Sequence, residues 1–474
     1  MHALTSPRWR LPILLLVAIA ARALTFGNPV VHVDEEFYFT VASRMWHGAL
    51  PYIDVWDRKP IGLFLLYMPA AALPLPWGTW AYQAMALGCV VGTAMLVARL
   101  ADHAGWGKGA TAAGIAYILW LDPLGGAGGQ SPILYNLPMA VAGLLIATAA
   151  GPARRARGLA AMALVGLCLQ IKYTVVFEGI FFGLWLLVGE WQARRAPTAL
   201  FCYAAGLVGL ALLPTVAAWA AYAAIGQSEA FVYANFTSIL ARRPDPWGEA
   251  LGNAAGLMLM LSPLVAMAFG SRGTAADGDA LLRRFLFAWF AVSLAAIALF
   301  GGWFEHYGLP AIVPGAACAA GFLGSRCWRG RATPAILGLV AFAGQATVIA
   351  NRLSRGSSKQ LAALTAAVGD GPRCLYVYSG PAILYRTANR CILTPYLFSS
   401  HLSRTREQGA IGVDQAAEIR RIFAARPAVV VMRQAYPGER ADVHALVTAA
   451  VERDYRRSAL LPMGDSEIGV YLRR

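Results

Sequence analysis

The stretch V-D-E-E-F-Y-F-T-V-A-S-R-M-W-H-G-A-L-P-Y-I-D-V-W-D-R-K-P-I-G-L-F-L-L, residues 33–66, gathers acidic, basic and aromatic side chains directly after a first apolar segment. The chain as a whole is poor in charge: 14% of its 474 residues are charged and 58% are hydrophobic. Ionisable side chains beside membrane segments are costly and are usually retained for function. Chemistry is therefore expected first in this stretch.

Outward from this stretch, apolar runs recur along the chain. Each is close to the roughly 17–25 residues that cross a hydrocarbon core as a helix. This pattern predicts a polytopic α-helical membrane protein with about eleven transmembrane helices, several of them short. The predicted spans are 11–24, 80–99, 110–121, 133–150, 159–171, 175–189, 200–223, 251–269, 285–300, 309–323 and 334–350.

The net charge of +15 reflects topology, because most of the excess falls in short loops between spans. If the N-terminus is cytoplasmic, alternate loops carry the basic residues on the same side, as the positive-inside rule requires. Residues 34–79 and the C-terminal tail then lie on the opposite face. A nucleic-acid partner is not expected. Arg8, Arg10 and the Ala21-Arg22-Ala23 sequence also resemble a cleavable signal peptide, and cleavage would leave the later loops on the same side.

Beyond residue 351 the composition becomes more polar, and short apolar strands alternate with amphipathic helices. Strands are predicted at 374–378, 390–393, 428–432 and 468–472, and helices at 414–425 and 441–455. This pattern is typical of a small α/β domain. We therefore divide the chain into a transmembrane domain, 1–350, with a first outer loop at 27–79, and an extracytoplasmic α/β domain, 351–474.

The chain contains seven cysteines, two of which lie in the C-terminal domain. Cys374 and Cys391 lie on or beside two predicted strands, in a compartment that permits oxidation. A disulfide is compatible with this placement, but the sequence does not fix the distance between the two residues.

Asp34, Glu35 and Glu36 stand together where the chain leaves the first apolar segment. Adjacent carboxylates raise one another's pKa, bind cations, or place a base near an incoming hydroxyl. The structural alternative is the solvated start of a helix, where acids complement the helix dipole. Because of this cluster a divalent cation is conceivable, although the sequence does not require one.

The following D-V-W-D-R-K-P segment, residues 54–60, places Asp57, Arg58 and Lys59 before a proline-rich, half-apolar stretch. Such a segment is expected to lie along the membrane interface, with Arg58 and Lys59 facing lipid phosphates. Simple anchoring at the headgroups is the competing interpretation. A second candidate is Lys172, a cation beside apolar spans that either extends to the interface or serves a ligand. Glu178, inside an apolar helix, should face protein or a cavity.

These segments resemble the GT-C membrane glycosyltransferases that use polyprenyl-phosphate sugars, in particular relatives of protein O-mannosyltransferases and of lipid A aminoarabinose transferase. The resemblance starts with D-E-E-F-Y at 34–38, W-H-G-A-L-P-Y at 46–52 and D-V-W-D-R-K-P at 54–60. It continues with G-L-C-L-Q-I-K-Y-T-V-V-F-E at 166–178, F-V-Y-A-N-F at 231–236 and G-G-W-F-E-H-Y-G-L-P-A-I-V-P at 301–314. It covers nearly the whole chain and favours an uncleaved first helix.

The resemblance implies a role for each matching residue. Asp34 would be the base that activates the acceptor hydroxyl, with Glu35 as its acidic neighbour. Arg58, Lys59 and Lys172 would meet the donor phosphate, since a cation must stabilise the charge that develops on the leaving group. Substrate binding would involve Asp57, His306 and Tyr307. Relatives often carry a glutamate in the second outer loop where this chain reads G-G-Q-S-P-I-L-Y-N at 128–136; Gln130 or Asn136 could substitute by hydrogen bonding.

The function predicted from the sequence is therefore inverting transfer of a sugar from a polyprenyl-phosphate donor to a lipid, glycan or protein acceptor. The expected location is the outer face of the bacterial inner membrane, with membrane lipids as neighbours. A secondary transporter or lipid-linked sugar flippase is the alternative, but transporters tend to place charge near the midplane in paired halves. Here the charge gathers at one face. A catalytically inactive lipid-binding relative is a third interpretation.

Overall fold

The computed structural model describes residues 7–274 and 279–474. The helices that precede the C-terminal sheet are α1 Pro7–Arg22, α2 Val33–Met45, α3 Ile61–Ala71, α4 Trp77–His103, α5 Ala110–Leu121, α6 Ser131–Ala147, α7 Arg154–Leu169, α8 Val176–Gln192, α9 Pro197–Ala224, α10 Ser228–Val232, α11 Trp247–Gly270, α12 Ala280–Phe300, α13 Ile312–Leu323, α14 Trp328–Arg355 and α15 Ser358–Val368. The remaining elements are β1 Leu375–Val377, α16 Leu384–Thr387, α17 Ser399–Ser403, α18 Gln415–Ala424, β2 Val429–Arg433, α19 Ala441–Asp454, β3 Tyr455–Met463 and β4 Ser466–Arg473.

Each predicted apolar span coincides largely with a helix, but the helices differ in length. Within residues 7–274 and 279–474, six helical stretches are long and apolar enough to cross a membrane. They are Trp77–His103, Tyr173–Gln192, Pro197–Ala224, Trp247–Gly270, Ala280–Phe300 and Trp328–Val368. Others, such as α5 and α13 with 12 residues each, are shorter than a full span. The predicted polytopic helical fold is confirmed, whereas a count of eleven spans is not.

By its contacts the chain divides into two compact units. The first, the helical unit, comprises Met1–Phe26, Gln83–Ala217 and Trp247–Val348. Its centre is α13, which is buried along its whole length and is rich in alanine and glycine. At Gly315 an added Cβ would lie 2.8 Å from side-chain atoms of Leu264 and Phe290. Small residues therefore allow neighbouring helices to pack closely against α13.

The second unit, the loop–sheet unit, comprises Gly27–Tyr82, Ala218–Pro246 and Ile349–Arg474. Its four-stranded sheet has the order β1-β2-β4-β3. Strands β1 and β2 are parallel, and β4 pairs antiparallel with both β2 and β3. Trp56, from the first loop, lies in the same hydrophobic cluster as Tyr376 and Val430 of the sheet, and its backbone N–H donates to the Pro395 carbonyl at 2.9 Å. The first loop is therefore part of the core of this unit.

The C-terminal elements differ from the sequence-based prediction at two places. Residues 390–393 are not a strand; Ile392 makes one isolated parallel bridge to Leu375. Cys374 and Cys391 form a disulfide that holds this segment beside β1. Strand β3 was missed because it is an edge strand whose exposed positions include Arg456 and Arg457. Charged residues on edge strands discourage pairing with other chains, but they remove the apolar alternation that predicts a strand.

Candidate active site

Asp34, Glu35 and Glu36 occupy the first turn of α2, where carboxylates complement the helix dipole. The helix is capped by His32, whose Nδ1 accepts a hydrogen bond from the backbone N–H of Asp34 at 3.1 Å. In a neutral ring this bond assigns the proton to Nε2. The Asp34 side chain remains 17% exposed, whereas Glu35 is fully buried. Asp34 is thus the better placed of the two to meet a substrate.

Glu36 points into the loop–sheet unit instead of toward a substrate. Its Oε1 accepts a hydrogen bond from the backbone N–H of Ala382 at 3.2 Å. Burial raises the pKa of Glu36 to about 8, against the opposing charge of Arg355. At neutral pH the carboxyl is therefore mostly protonated, and the mutual repulsion expected of three adjacent carboxylates is relieved. With Glu36 neutral, a cation would find two carboxylates in this cluster rather than three.

We expect Glu36→Gln to change how stability depends on pH. Because the pKa of Glu36 rises from 4.5 to about 8 on folding, its protonation favours the folded state below about pH 4.5. This contribution is lost as pH rises toward 8, at roughly 1.4 kcal/mol per pH unit at most. Glutamine keeps the acceptor for Ala382 and does not titrate. The thermal midpoint of the variant in detergent should therefore gain on the wild type between about pH 4.5 and pH 8 and run parallel to it above pH 8; parallel curves below pH 8 would contradict the protonation of Glu36.

Arg58 has the densest contacts of the D-V-W-D-R-K-P segment. Its Nη1 lies 2.6 Å from Oε2 of Glu407, its Nε donates to Oγ of Ser238 at 3.0 Å, and its Nη2 donates to the Ala410 carbonyl at 2.6 Å. The side chain is 13% exposed. A guanidinium held on three sides by protein groups anchors the loop, so its part in phosphate binding stays a prediction.

Asp57 and Lys59 flank Arg58, and the charges of both Lys59 and Asp34 act on the buried carboxyl of Asp57. Burial raises the pKa of Asp57, Lys59 lowers it, and the charge of Asp34 raises it further. Lys59 is half-buried, and its Nζ lies 5.6 Å from the centroid of the Tyr38 ring on α2. Asp34 and Lys59 therefore both act electrostatically on Asp57, although Asp34 lies more than twenty residues before it in the sequence.

Sequence reasoning missed His401, which lies against Asp57. Its Nε2 is 3.8 Å from Oδ1 of Asp57, and its ring meets Trp56 edge-on at 4.7 Å between centroids. Burial, with the charges of Arg58, Lys59 and Arg242, lowers the pKa of His401 well below its usual value, so the ring is neutral at pH 7. A single histidine in a polar segment gives no signal in the sequence. Glu407, the acidic partner of Arg58, was missed because a single glutamate in a polar segment gives no signal either.

Lys172, His306 and Tyr307 belong to the helical unit. Lys172 is 8% exposed, and its Nζ lies 4.4 Å from the centroid of the Tyr307 ring. The His306 and Tyr307 rings are in contact, with 4.6 Å between centroids. Lys172 and Tyr307 line a cavity that Glu178 also reaches, as expected for an acid within an apolar helix. Lys172 is thus packed inside the helical unit.

The loop at 122–130 has no glutamate of the kind the resemblance predicted, and neither predicted substitute is exposed. Asn136 is buried, and its Nδ2 donates to the Leu309 carbonyl at 3.2 Å. Gln130 is fully buried. Gly125, in the same loop, adopts a φ of +72°, and a Cβ there would lie 3.4 Å from Oε1 of Glu305. Glu305 thus places a carboxylate against this loop from elsewhere in the helical unit.

Apolar helices and a small mixed sheet follow one another in this chain as they do in a lipid-binding membrane protein of known structure, and the chain shares its fold. The crystal structure of ArnT from Cupriavidus metallidurans bound to undecaprenyl phosphate matches it with a TM-score of 0.62 and 13% identity, over 98% of each chain. The apo structure of the same protein gives a TM-score of 0.40 and 15% identity, over 91% of this chain and 92% of that one. No protein-family model matches the sequence, and no curated protein does.

Proposed function

We propose that the chain is an inverting glycosyltransferase that transfers a sugar from a polyprenyl-phosphate donor to a lipid, glycan or protein acceptor. The GT-C fold supports this proposal, but a fold alone hosts many functions. The observation that carries it is that Asp34, a partly exposed carboxylate at a helix start, and Lys59, a half-buried cation, both belong to the loop–sheet unit and both act electrostatically on the buried carboxyl of Asp57. Displacement of a sugar from a phosphate requires such a base and such a cation.

In the proposed reaction Asp34 accepts the proton of the acceptor hydroxyl. The hydroxyl oxygen forms a bond to the anomeric carbon from the face opposite the phosphate. The bond between the anomeric carbon and the phosphate oxygen breaks, and its electron pair stays on the lipid phosphate. One displacement of this kind inverts the anomeric configuration.

Lys59 is the proposed contact for the leaving phosphate. Its ammonium lies 5.6 Å from the centroid of the Tyr38 ring and acts on the buried carboxyl of Asp57, and the guanidinium of Arg58 is bound by Glu407, Ser238 and Ala410. Arg58 would act indirectly, by holding the backbone next to Lys59 in place. Lys172 remains a proposed donor-binding residue of the helical unit, together with His306 and Tyr307.

The outer face of the bacterial inner membrane is the proposed location of this chemistry. The Cys374–Cys391 disulfide supports it, because disulfides persist in oxidising compartments such as the periplasm. The basic loops predict the same orientation by the positive-inside rule. The acceptor would then be a molecule of the cell envelope.

Mass analysis of lipids and surface glycans in a deletion strain tests this function. We expect one glycan or lipid to lose a sugar and the matching polyprenyl-phosphate sugar to accumulate, because transfer no longer consumes it. Complementation with the wild-type gene should reverse both changes, and an Asp34→Asn gene should reverse neither. Unchanged lipids and glycans in the deletion strain, with no accumulated donor, would refute the proposal.

A further inference from the structure

The start of α7 and the end of α8, both in the helical unit, carry basic side chains beside a buried acid. The basic side chains lie in loops that the sequence predicts to be cytoplasmic, and they are Arg154, Arg155, Arg157, Arg194 and Arg195. The acid is Glu190, in the last turn of α8, whose side chain is buried. None of these residues belongs to the proposed site of sugar transfer.

Glu190 holds three of the arginines close together. Nη2 of Arg155 lies 2.8 Å from its Oε2. Nε of Arg154 lies 3.8 Å from Oε1, and Nε of Arg195 lies 4.0 Å from Oε2. All three arginine side chains are at least one third exposed. One carboxylate offsets at most one guanidinium, so the group keeps at least two positive charges.

The positions of two of these guanidinium groups are set by the helices around them. A Cβ at Gly189 would overlap Nη2 of Arg154, so glycine gives this side chain the room to lie across α8. The Arg155 guanidinium carbon lies 5.6 Å from the centroid of the Tyr203 ring on α9, where the ring quadrupole attracts a cation. The charges are therefore gathered where α7, α8 and α9 meet.

An exposed apolar stripe on α8 leads to this group of arginines. Its side chains are three or four residues apart, which places them on one face of the helix, and they are Ile180, Leu184, Val188 and Trp191. In a bilayer such a face contacts acyl chains, and a tryptophan at its end is typical of headgroup depth. A ligand that meets both the stripe and the arginines must combine acyl chains with anionic groups.

We propose that the arginines held by Glu190 bind a membrane phospholipid with two phosphates, of the diphosphatidylglycerol type, whose acyl chains lie along the α8 stripe. Two phosphates match the positive charges that Glu190 leaves uncompensated, and a guanidinium binds a phosphate through two parallel N–H donors. Basic pockets between transmembrane helices on the cytoplasmic side are used in this way. The inference goes beyond the proposed function and does not depend on it, because this lipid is not a substrate.

Native mass spectrometry of the purified full-length protein, titrated with lipid in detergent micelles, tests this site. The probes are diphosphatidylglycerol, phosphatidylglycerol and phosphatidylcholine with the same acyl chains. We expect diphosphatidylglycerol to bind about tenfold more tightly than phosphatidylglycerol, and phosphatidylcholine to bind least. Inorganic pyrophosphate at equal concentration should not compete, because it has two phosphates but no acyl chains. Equal affinities for the three lipids, or displacement by pyrophosphate, would overturn the proposal.

A double variant removes the excess charge and leaves the acid paired. Arg154→Gln combined with Arg195→Gln keeps the 2.8 Å pair of Arg155 with Glu190, so no buried carboxylate loses its partner. Its thermal midpoint without added lipid should stay near that of the wild type. Its affinity for diphosphatidylglycerol should fall by about thirtyfold, or about fivefold for each arginine near the headgroups. Wild-type affinity in this variant would refute the site.

Gly189→Ala distinguishes the position of the charge from its amount. It keeps every arginine but displaces the Arg154 guanidinium, and it should weaken binding about fivefold, the share of one arginine. Wild-type affinity there would mean that net charge alone attracts the lipid, which would overturn a built site.

Arg331→Gln is the matched control for charge. Arg331 is an exposed arginine in the first turn of α14, in another loop predicted to lie on the same face, and it is outside the group held by Glu190. We expect this variant to bind diphosphatidylglycerol as the wild type does. A loss as large as that of the double variant would assign the binding to the general charge of the face and contradict the proposal.

Discussion

Asp34→Asn should reduce sugar transfer by about 10²–10⁴-fold, the usual contribution of a general base. Asparagine keeps the size of the side chain and its place in the first turn of α2, but it cannot accept the proton of the acceptor hydroxyl. Donor binding should change little, because the proposed cation, Lys59, is untouched. The measurement is the rate of transfer by the purified protein with the donor and acceptor that the deletion strain identifies, together with donor affinity.

Glu36→Gln is the control for this prediction. It removes an acid two residues away in the same turn, but the pKa of Glu36 is about 8, so the wild-type group is already mostly neutral at pH 7. The glutamine side chain can still accept from the Ala382 N–H. We expect its transfer rate at pH 7 to stay close to that of the wild type. Asp34→Asn activity within about threefold of wild type would exclude Asp34 as the general base.

Glu35 is expected to act on Asp34 and not on the substrate. Its side chain is fully buried, so it cannot reach an acceptor that arrives from solvent. It follows Asp34 directly in the first turn of α2, so it can act only through the position of its neighbour. The catalytic assignment from the sequence is therefore divided: Asp34 keeps the proposed proton transfer, and Glu35 supports it.

The sequence was sufficient for features that depend on local pattern. Apolar runs predicted the helices, because a backbone in lipid must satisfy its hydrogen bonds within a helix. The amphipathic run at 414–425 correctly predicted α18, which Asp414 caps in the structure by accepting from the Ala417 N–H at 2.7 Å. The first-loop motifs also pointed to Asp34, Asp57 and Lys59, all of which belong to the loop–sheet unit, and their role as a site stays a prediction.

Features that depend on distant parts of the chain could not be predicted in this way. Arg58 was interpreted as a lipid-facing cation because its neighbours in sequence are polar and aromatic. In the structure its partners, Ser238 and Glu407, come from segments that follow several further helices. Likewise, the buried position of His401 against Asp57 is decided by the packing of the C-terminal segment on the first loop. No spacing rule links such residues in a single sequence.

Glu407→Gln should destabilise the loop–sheet unit by about 3 kcal/mol. It removes the carboxylate that neutralises the mostly buried guanidinium groups of Arg58 and Arg242. Glu407 lies 2.6 Å from Arg58 and 3.1 Å from Arg242, and its own side chain is 5% exposed. Without the carboxylate, the guanidinium of Arg58 keeps its burial but loses the charge that compensates it. Thermal unfolding of the purified protein in detergent, with the disulfide intact, measures the change.

Asp454→Asn is the matched control, since it also breaks an ion pair between a carboxylate and an arginine in the loop–sheet unit. Asp454 and Arg453 lie 2.7 Å apart, but their side chains are 43% and 71% exposed, and exposed pairs contribute at most about 1 kcal/mol. Its thermal midpoint should therefore stay near that of the wild type. If Glu407→Gln were equally mild, the ion pair would not be what holds Arg58.

A double variant distinguishes two roles of Arg58: anchoring the first loop, and carrying a buried charge that Glu407 must neutralise. Arg58→Met combined with Glu407→Gln removes the buried cation together with its partner, and replacement of a buried pair by an apolar side chain is often neutral for stability. We expect the double variant to be more stable than Glu407→Gln alone. Its transfer activity should nevertheless stay low, because the segment that carries Asp57 and Lys59 would no longer be tied to Glu407, Ser238 and Ala410. Recovery of both stability and activity would mean that Arg58 does not position Lys59.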